Sequence, residues 1–137
     1  MSHNPRIPPW SPELERQALG LLMLAYPFPD WLREKHFFAF EHKFLFRAAR
    51  ELRNVAQVAK RLRENYGAVQ VHSYGLRATD LAEMCLEAEH AQRLGWPLPW
   101  DELRELSETR RLLVKLFKAE VMLRSGEWTA GEARASL

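Results

Sequence analysis

The chain has 137 residues, enough for one domain with an appendage, and a formal net charge of +2, too small to imply a nucleic-acid partner by itself. Its 47% hydrophobic residues and five tryptophans suffice for a core, and its single cysteine, Cys85, excludes an internal disulfide and suits a reducing cytoplasm. No apolar run approaches a membrane span and no secretory leader pattern opens the chain, so a cytoplasmic protein with no membrane partner is expected.

Helical signals dominate from the start. Ser11 is placed to cap a first helix, Pro12 suits its first position, and Glu13 and Glu15 put negative charge at the positive end of the helix dipole. Leu14, Ala18, Leu21, Leu22 and Ala25 share one face, and Pro27-Phe28-Pro29 stops the helix after Ala25. Asp30 is expected to cap a short helix through Trp31, Leu32 and Lys35. A further helix runs from near Phe40 to Arg53 with Phe44, Leu45, Ala48, Ala49 and Leu52. Asn54 caps the next, whose apolar face is Val55, Val58, Ala59 and Leu62 and which Gly67 terminates.

Val69 to Tyr74 is β-like and reads as an extended connector. Asp80 opens another helix, burying Leu81, Met84, Cys85 and Ala88 and ending at Gly95. Trp96-Pro97-Leu98-Pro99-Trp100 is then a rigid aromatic turn. The last long helix spans Asp101 to Arg124. Arg104, Glu108, Arg111, Lys115 and Lys118 form a narrow polar stripe on it. Apolar residues wrap roughly two-thirds of its circumference, beyond the ~100° stripe that a surface helix needs. Such girth calls for more cover than one small bundle supplies, so an interface with a second chain is expected, with Leu113, Phe117 and Val121 as candidates. Ser125-Gly126 ends this helix, and the tail from Trp128 to Leu137 is expected to add a short helical turn.

The fold class expected is therefore all-α: a bundle of about five to six helices over residues 1–99, followed by a long helix and hairpin-like tail over 100–137 in the same domain. Candidate chemistry is sparse. His36 and His42 lack a completing Cys or acid set, so no metal is expected, and core or edge positions suit them better. Cys85 lies on an apolar face, where a free cysteine behaves as a small hydrophobe. No paired acid and base and no nucleophile set stands at interpretable spacing, so neither catalytic residues nor a cofactor are expected. Lys43, Arg47 and Arg50 lie at helical spacing, with Arg53, Lys60, Arg61 and Arg63 behind them, and are the candidate phosphate-gripping residues of a DNA-binding regulator. Interleaved Glu41, Glu51 and Glu64 make a solvated face the plainer reading. Tyr66 and Tyr74 look too isolated to stack bases. Trp96, Trp100 and Trp128 either anchor a partner or close the end of the bundle.

The stretch from Arg6 to Leu24, RIPPWSPELERQALGLLML, resembles the start of the N-terminal, collar domain of DnaB-type replicative DNA helicases. That start has a Pro-Pro-x-Ser entrance, an acidic turn, Gln, a Leu-Gly pair and an apolar run. His36-Phe37-Phe38, then His42, Leu45-Phe46, Ala48 and Leu52, resemble the second block, with His36 replacing an acid and Phe38 a tyrosine. Asn54–Leu62 resembles the next helix. Arg104-Glu105, Arg110, Leu112-Leu113 and Ala119 resemble the block that begins a helical hairpin. Between Gly67 and Trp100 the likeness fails.

The resemblance implies an all-α bundle with a helical hairpin that pairs with a neighbouring copy and offers a docking platform to primase or a helicase loader. The helicase-binding C-terminal domain of bacterial primase, related in fold, is the nearest alternative. No Gly-x-x-x-x-Gly-Lys-Ser/Thr loop is present, so the phosphate cradle and Mg²⁺-binding hydroxyl of an ATP-driven motor are missing. The expected function is a non-catalytic protein–protein interaction module of bacterial DNA replication, acting by self-association and by binding helicase, primase or loader. It is either an excised collar domain or a free-standing relative.

Overall fold

The structure, a computed structural model, describes residues 9–137; Arg6, Ile7 and Pro8 of the family-like opening lie outside the described residues. Among the described residues the chain is all-α. Its helices are α1 Pro12–Met23, α2 Phe40–Leu52, α3 Val55–Tyr66, α4 Ala68–Ser73, α5 Ala78–Arg93, α6 Trp100–Arg124 and α7 Ala130–Ala135, with a 3-10 turn at Glu34–His36.

The start of α1 follows its local chemistry. Ser11 Oγ accepts from the Leu14 N–H at 3.2 Å, with Pro12 in the first turn. The helix ends earlier than its apolar pattern suggests, because Ala25 turns left-handed (φ 62°) and the Tyr26 N–H bonds back to the Leu21 carbonyl at 2.9 Å. That is a Schellman closure made without glycine. A distant residue completes it: the Arg53 guanidinium donates to the Leu22 carbonyl at 2.7 Å and also to the Tyr26 carbonyl. Arg53 is thus withdrawn from the basic stripe to cap α1, resting 4.8 Å over the Phe28 ring.

Helix α1 is the hub, packed between α5 and α2. Leu19, Leu21 and Leu22 are fully buried, together with Phe37, Leu45, Val58, Leu81 and Ala88 from the surrounding elements. Gly20 is where α1 meets α5. A Cβ there would lie 2.4 Å from the Met84 carbonyl oxygen and 2.7 Å from the Ala88 Cβ. The Leu19-Gly20 pair therefore has a packing reason: only a residue without a side chain admits this approach. The core continues into α6, whose Trp100 and Leu103 are buried in it.

Several expectations are corrected. Asp30 caps no helix; Glu34–His36 forms a 3-10 turn instead, closed by the Arg33 N–H donating to His36 Nδ1 at 2.9 Å. Val69 to Tyr74 is not extended but forms α4 and its cap. Among the described residues an isolated strand would have no ladder partner, whereas a single helical turn satisfies its own backbone and buries Val71 while leaving Val69 85% exposed. Asp80 sits inside α5 and reaches back to the Arg77 N–H at 2.9 Å, so the helix starts earlier, at Ala78. Trp100 belongs to α6 rather than to the turn before it.

Candidate interaction surface on the long helix

Helix α6 is 25 residues long, and the rest of the fold covers only part of it. Its first half lies on the 3-10 turn and α1, and α7 folds back on its second half. The bundle-facing line runs Leu103, Ser107, Arg110, Val114, Phe117, Val121, alternating steps of four and three residues, the spacing of a coiled-coil seam.

Along the bundle this seam is satisfied. Leu103 is buried, Ser107 Oγ donates to the Lys35 carbonyl at 3.2 Å, and Arg110 donates to the Pro9 carbonyl at 2.9 Å and the His36 carbonyl at 3.4 Å. Arg110 also lies 5.5 Å over the Phe38 ring. The polar seam residues thus match loop carbonyls. Beyond Arg110 the bundle ends and the seam turns apolar. Val114 is 67% and Phe117 68% exposed, and Val121 and the adjacent Leu113 are exposed as well.

A second line, Leu112, Leu116, Ala119 and Leu123, faces the α7 side. Helix α7 is only six residues long and buries Ala119 and its own Ala133. Between α6 and α7 a groove of about 620 Å³ remains, lined by Leu116, Leu123, Ala130 and Leu137 among others. Two charged pairs lie on the same helix: Arg104–Glu108 at 3.4 Å beside the bundle, and Arg124–Glu120 at 3.0 Å lining the groove. Lys118 Nζ lies 5.6 Å over the Trp128 ring, which fastens the tail to the helix.

Leu113, Phe117 and Val121 therefore share one exposed stretch, as their spacing suggests. Val114 belongs with them and was missed. The four-and-three spacing continuing from Leu103 is the signal that finds it.

The basic candidates lie elsewhere, on α2. Arg47 makes a forked pair with Glu34 at 2.6 and 2.7 Å, which holds the Glu34 carboxyl below its ordinary value, and Lys43 donates to the Glu34 carbonyl at 3.4 Å. Arg50 is exposed and, among the described residues, has no ion pair. Arg61 pairs with Glu51 at 2.9 Å and Lys60 with Glu64 at 3.9 Å. Tyr66 and Tyr74, apart in sequence, meet Phe40 and Phe44 in a cluster whose rings pack on one another 5.0–5.9 Å apart. The tryptophans divide: Trp100 is buried, Trp128 half-buried, and Trp96 exposed.

The remaining candidates occupy packing positions. His42 is buried with its Nδ1 2.8 Å from Glu15. His36 is buried beside Trp31, and burial pulls its imidazole below the ordinary value. Cys85 is buried 3.8 Å from the Gly20 carbonyl, and desolvation pushes its thiol up to about 11, which leaves little thiolate at neutral pH. Among the described residues no helix is long and apolar enough to cross a membrane. No protein family, curated protein or solved structure matches the chain in comparison.

Proposed function

We propose that this chain is a non-catalytic protein–protein interaction module of bacterial DNA replication, resembling the collar domain of DnaB-type replicative helicases. The observation that carries the reading is the overhang of α6. One helical seam is completed by loop carbonyls up to Arg110 and then continues as the exposed Val114, Phe117 and Val121, which none of the described residues covers. Fully burying a Phe or Val side chain is worth about 1.5–3 kcal/mol, so covering this stretch drives association.

The occupant we favour is the same seam of a second copy. A four-and-three apolar line is self-complementary, and the flanking Lys118 and Glu120 give paired helices charges of both signs at the edge. Helicase, primase or a loader then docks on the paired module. The DNA-binding alternative has less behind it, because Arg47, Arg53, Lys60 and Arg61 are engaged within the fold.

Sedimentation velocity together with pull-down against the helicase and primase of the source organism tests the reading. A dimer or larger species that retains either partner supports it. A strict monomer that binds neither overturns it.

A further inference from the structure

Where α6 leaves the bundle, its first half and the 3-10 turn enclose a cleft of about 400 Å³. Four cationic side chains line it, Arg33, Lys35, Arg104 and Arg111, against a single carboxylate, Glu108. The arrangement follows from the fold: the 3-10 turn delivers Arg33 and Lys35, while Arg104, Glu108 and Arg111 succeed one another on one face of α6.

Two of the cations are held in place, and two are left without a counter-charge among the described residues. Arg33 donates to the Asp30 carbonyl and, at 2.9 Å, to the Leu32 carbonyl, which pins its guanidinium. Arg104 lies 4.8 Å over the Trp31 ring and pairs with Glu108 at 3.4 Å. Lys35 and Arg111 are exposed and, among the described residues, have no ion pair. His36, buried at the wall, is held below its ordinary value by burial and then by the charges of Lys35, Arg104 and Arg33.

Like charges gathered in one cleft repel until an anion joins them. With Glu108 offsetting Arg104, the three remaining cations exceed what one carboxylate ligand would balance, whereas a phosphate offers several oxygens to guanidinium forks. The volume is that of a small-molecule site. We propose that this cleft binds a phosphate group, carried by a free polyphosphate or by a nucleic-acid backbone, with Lys35 and Arg111 as its principal donors and Arg104 positioned by Trp31.

Calorimetric titration of the full chain with pyrophosphate, and separately with a single-stranded oligodeoxynucleotide, tests this at low salt. The comparison is with Lys35→Ala/Arg111→Ala and with Arg50→Ala/Arg63→Ala, a control that removes two exposed cations on α2 and α3. Affinity is expected to fall by about tenfold or more in the first variant and to hold in the control. Pyrophosphate binding with this pattern identifies a free polyphosphate as the source; oligonucleotide binding alone identifies the backbone. Absence of binding by both probes overturns the proposal, as does a loss equal in the two variants or absent from the first. Arg111→Ala alone, at an exposed helix position, carries the same test should the double variant not fold.

Discussion

The Glu15 carboxylate accepts from His42 Nδ1 at 2.8 Å, joining α1 to α2 across a buried boundary. The same carboxylate accepts the Phe38 N–H at 2.7 Å and the Ala39 N–H at 3.3 Å, the backbone donors just ahead of α2. Glu15 is only 1% exposed. A residue that sequence reading assigns to the dipole of its own helix thus fixes the start of another.

Replacing Glu15 with Ala removes the acceptor from three donors at once, two of them buried. Stability is expected to fall by about 2–6 kcal/mol, at about 1–3 kcal/mol for each buried donor left unsatisfied. Glu15→Gln, which keeps one acceptor oxygen, should lose less. Urea unfolding midpoints at equal m-value measure both.

Gly20→Ala tests the α1–α5 approach. Its Cβ would meet backbone at the Met84 carbonyl, which cannot rotate aside. We expect destabilisation at the upper end of the ~1–3 kcal/mol of overpacked cores, read as a lowered thermal midpoint.

Phe117→Glu and Val114→Glu place charge on the overhanging seam. Surface substitutions of this kind change monomer stability by about 0.5 kcal/mol or less, so a folded chain that sediments as a monomer is expected. Leu103→Ala, in the buried part of the same seam, should instead cost about 2–5 kcal/mol. Unfolding of the Phe117 variant would assign that position to the core.

Stability should also fall on mild acidification. Burial lowers the His36 pKa below its ordinary 6.5, aided by Lys35, Arg104 and Arg33. Between the folded and unfolded values the unfolded chain binds the extra proton. The neutral-imidazole contribution is therefore full above about 6.5 and lost as pH drops through the folded value. His36→Gln should flatten this slope in thermal midpoints between pH 7 and 5. The Glu34–Arg47 pair titrates lower, below the ordinary 4.5 of its carboxyl, and leaves that window clear.

Local signals were legible wherever the physics was local. Ser11 and Asn54 cap α1 and α3, Gly67 takes the positive φ that ends α3, and Gly126 does the same after α6. Helix boundaries slipped where a distant group intervened, as at the end of α1, which Arg53 closes from 31 residues away. Residues Val69–Tyr74 misled because β-branched side chains suit strands, but no second strand exists among the described residues to pair with them. The basic stripe of α2 looked free because Glu34, its counter-charge, comes from a turn whose placement the sequence does not state.

The sequence alone determined that the chain is all-α and that α6 carries more apolar surface than a surface helix needs, since both follow from the spacing of side chains along one helix. Only the tertiary structure decided which part of that surface is covered. The bundle ends against Arg110, so Leu103 is core while Phe117, on the same line, faces outward. Periodicity places residues on a face; it is the extent of the neighbouring elements that buries the face or leaves it open.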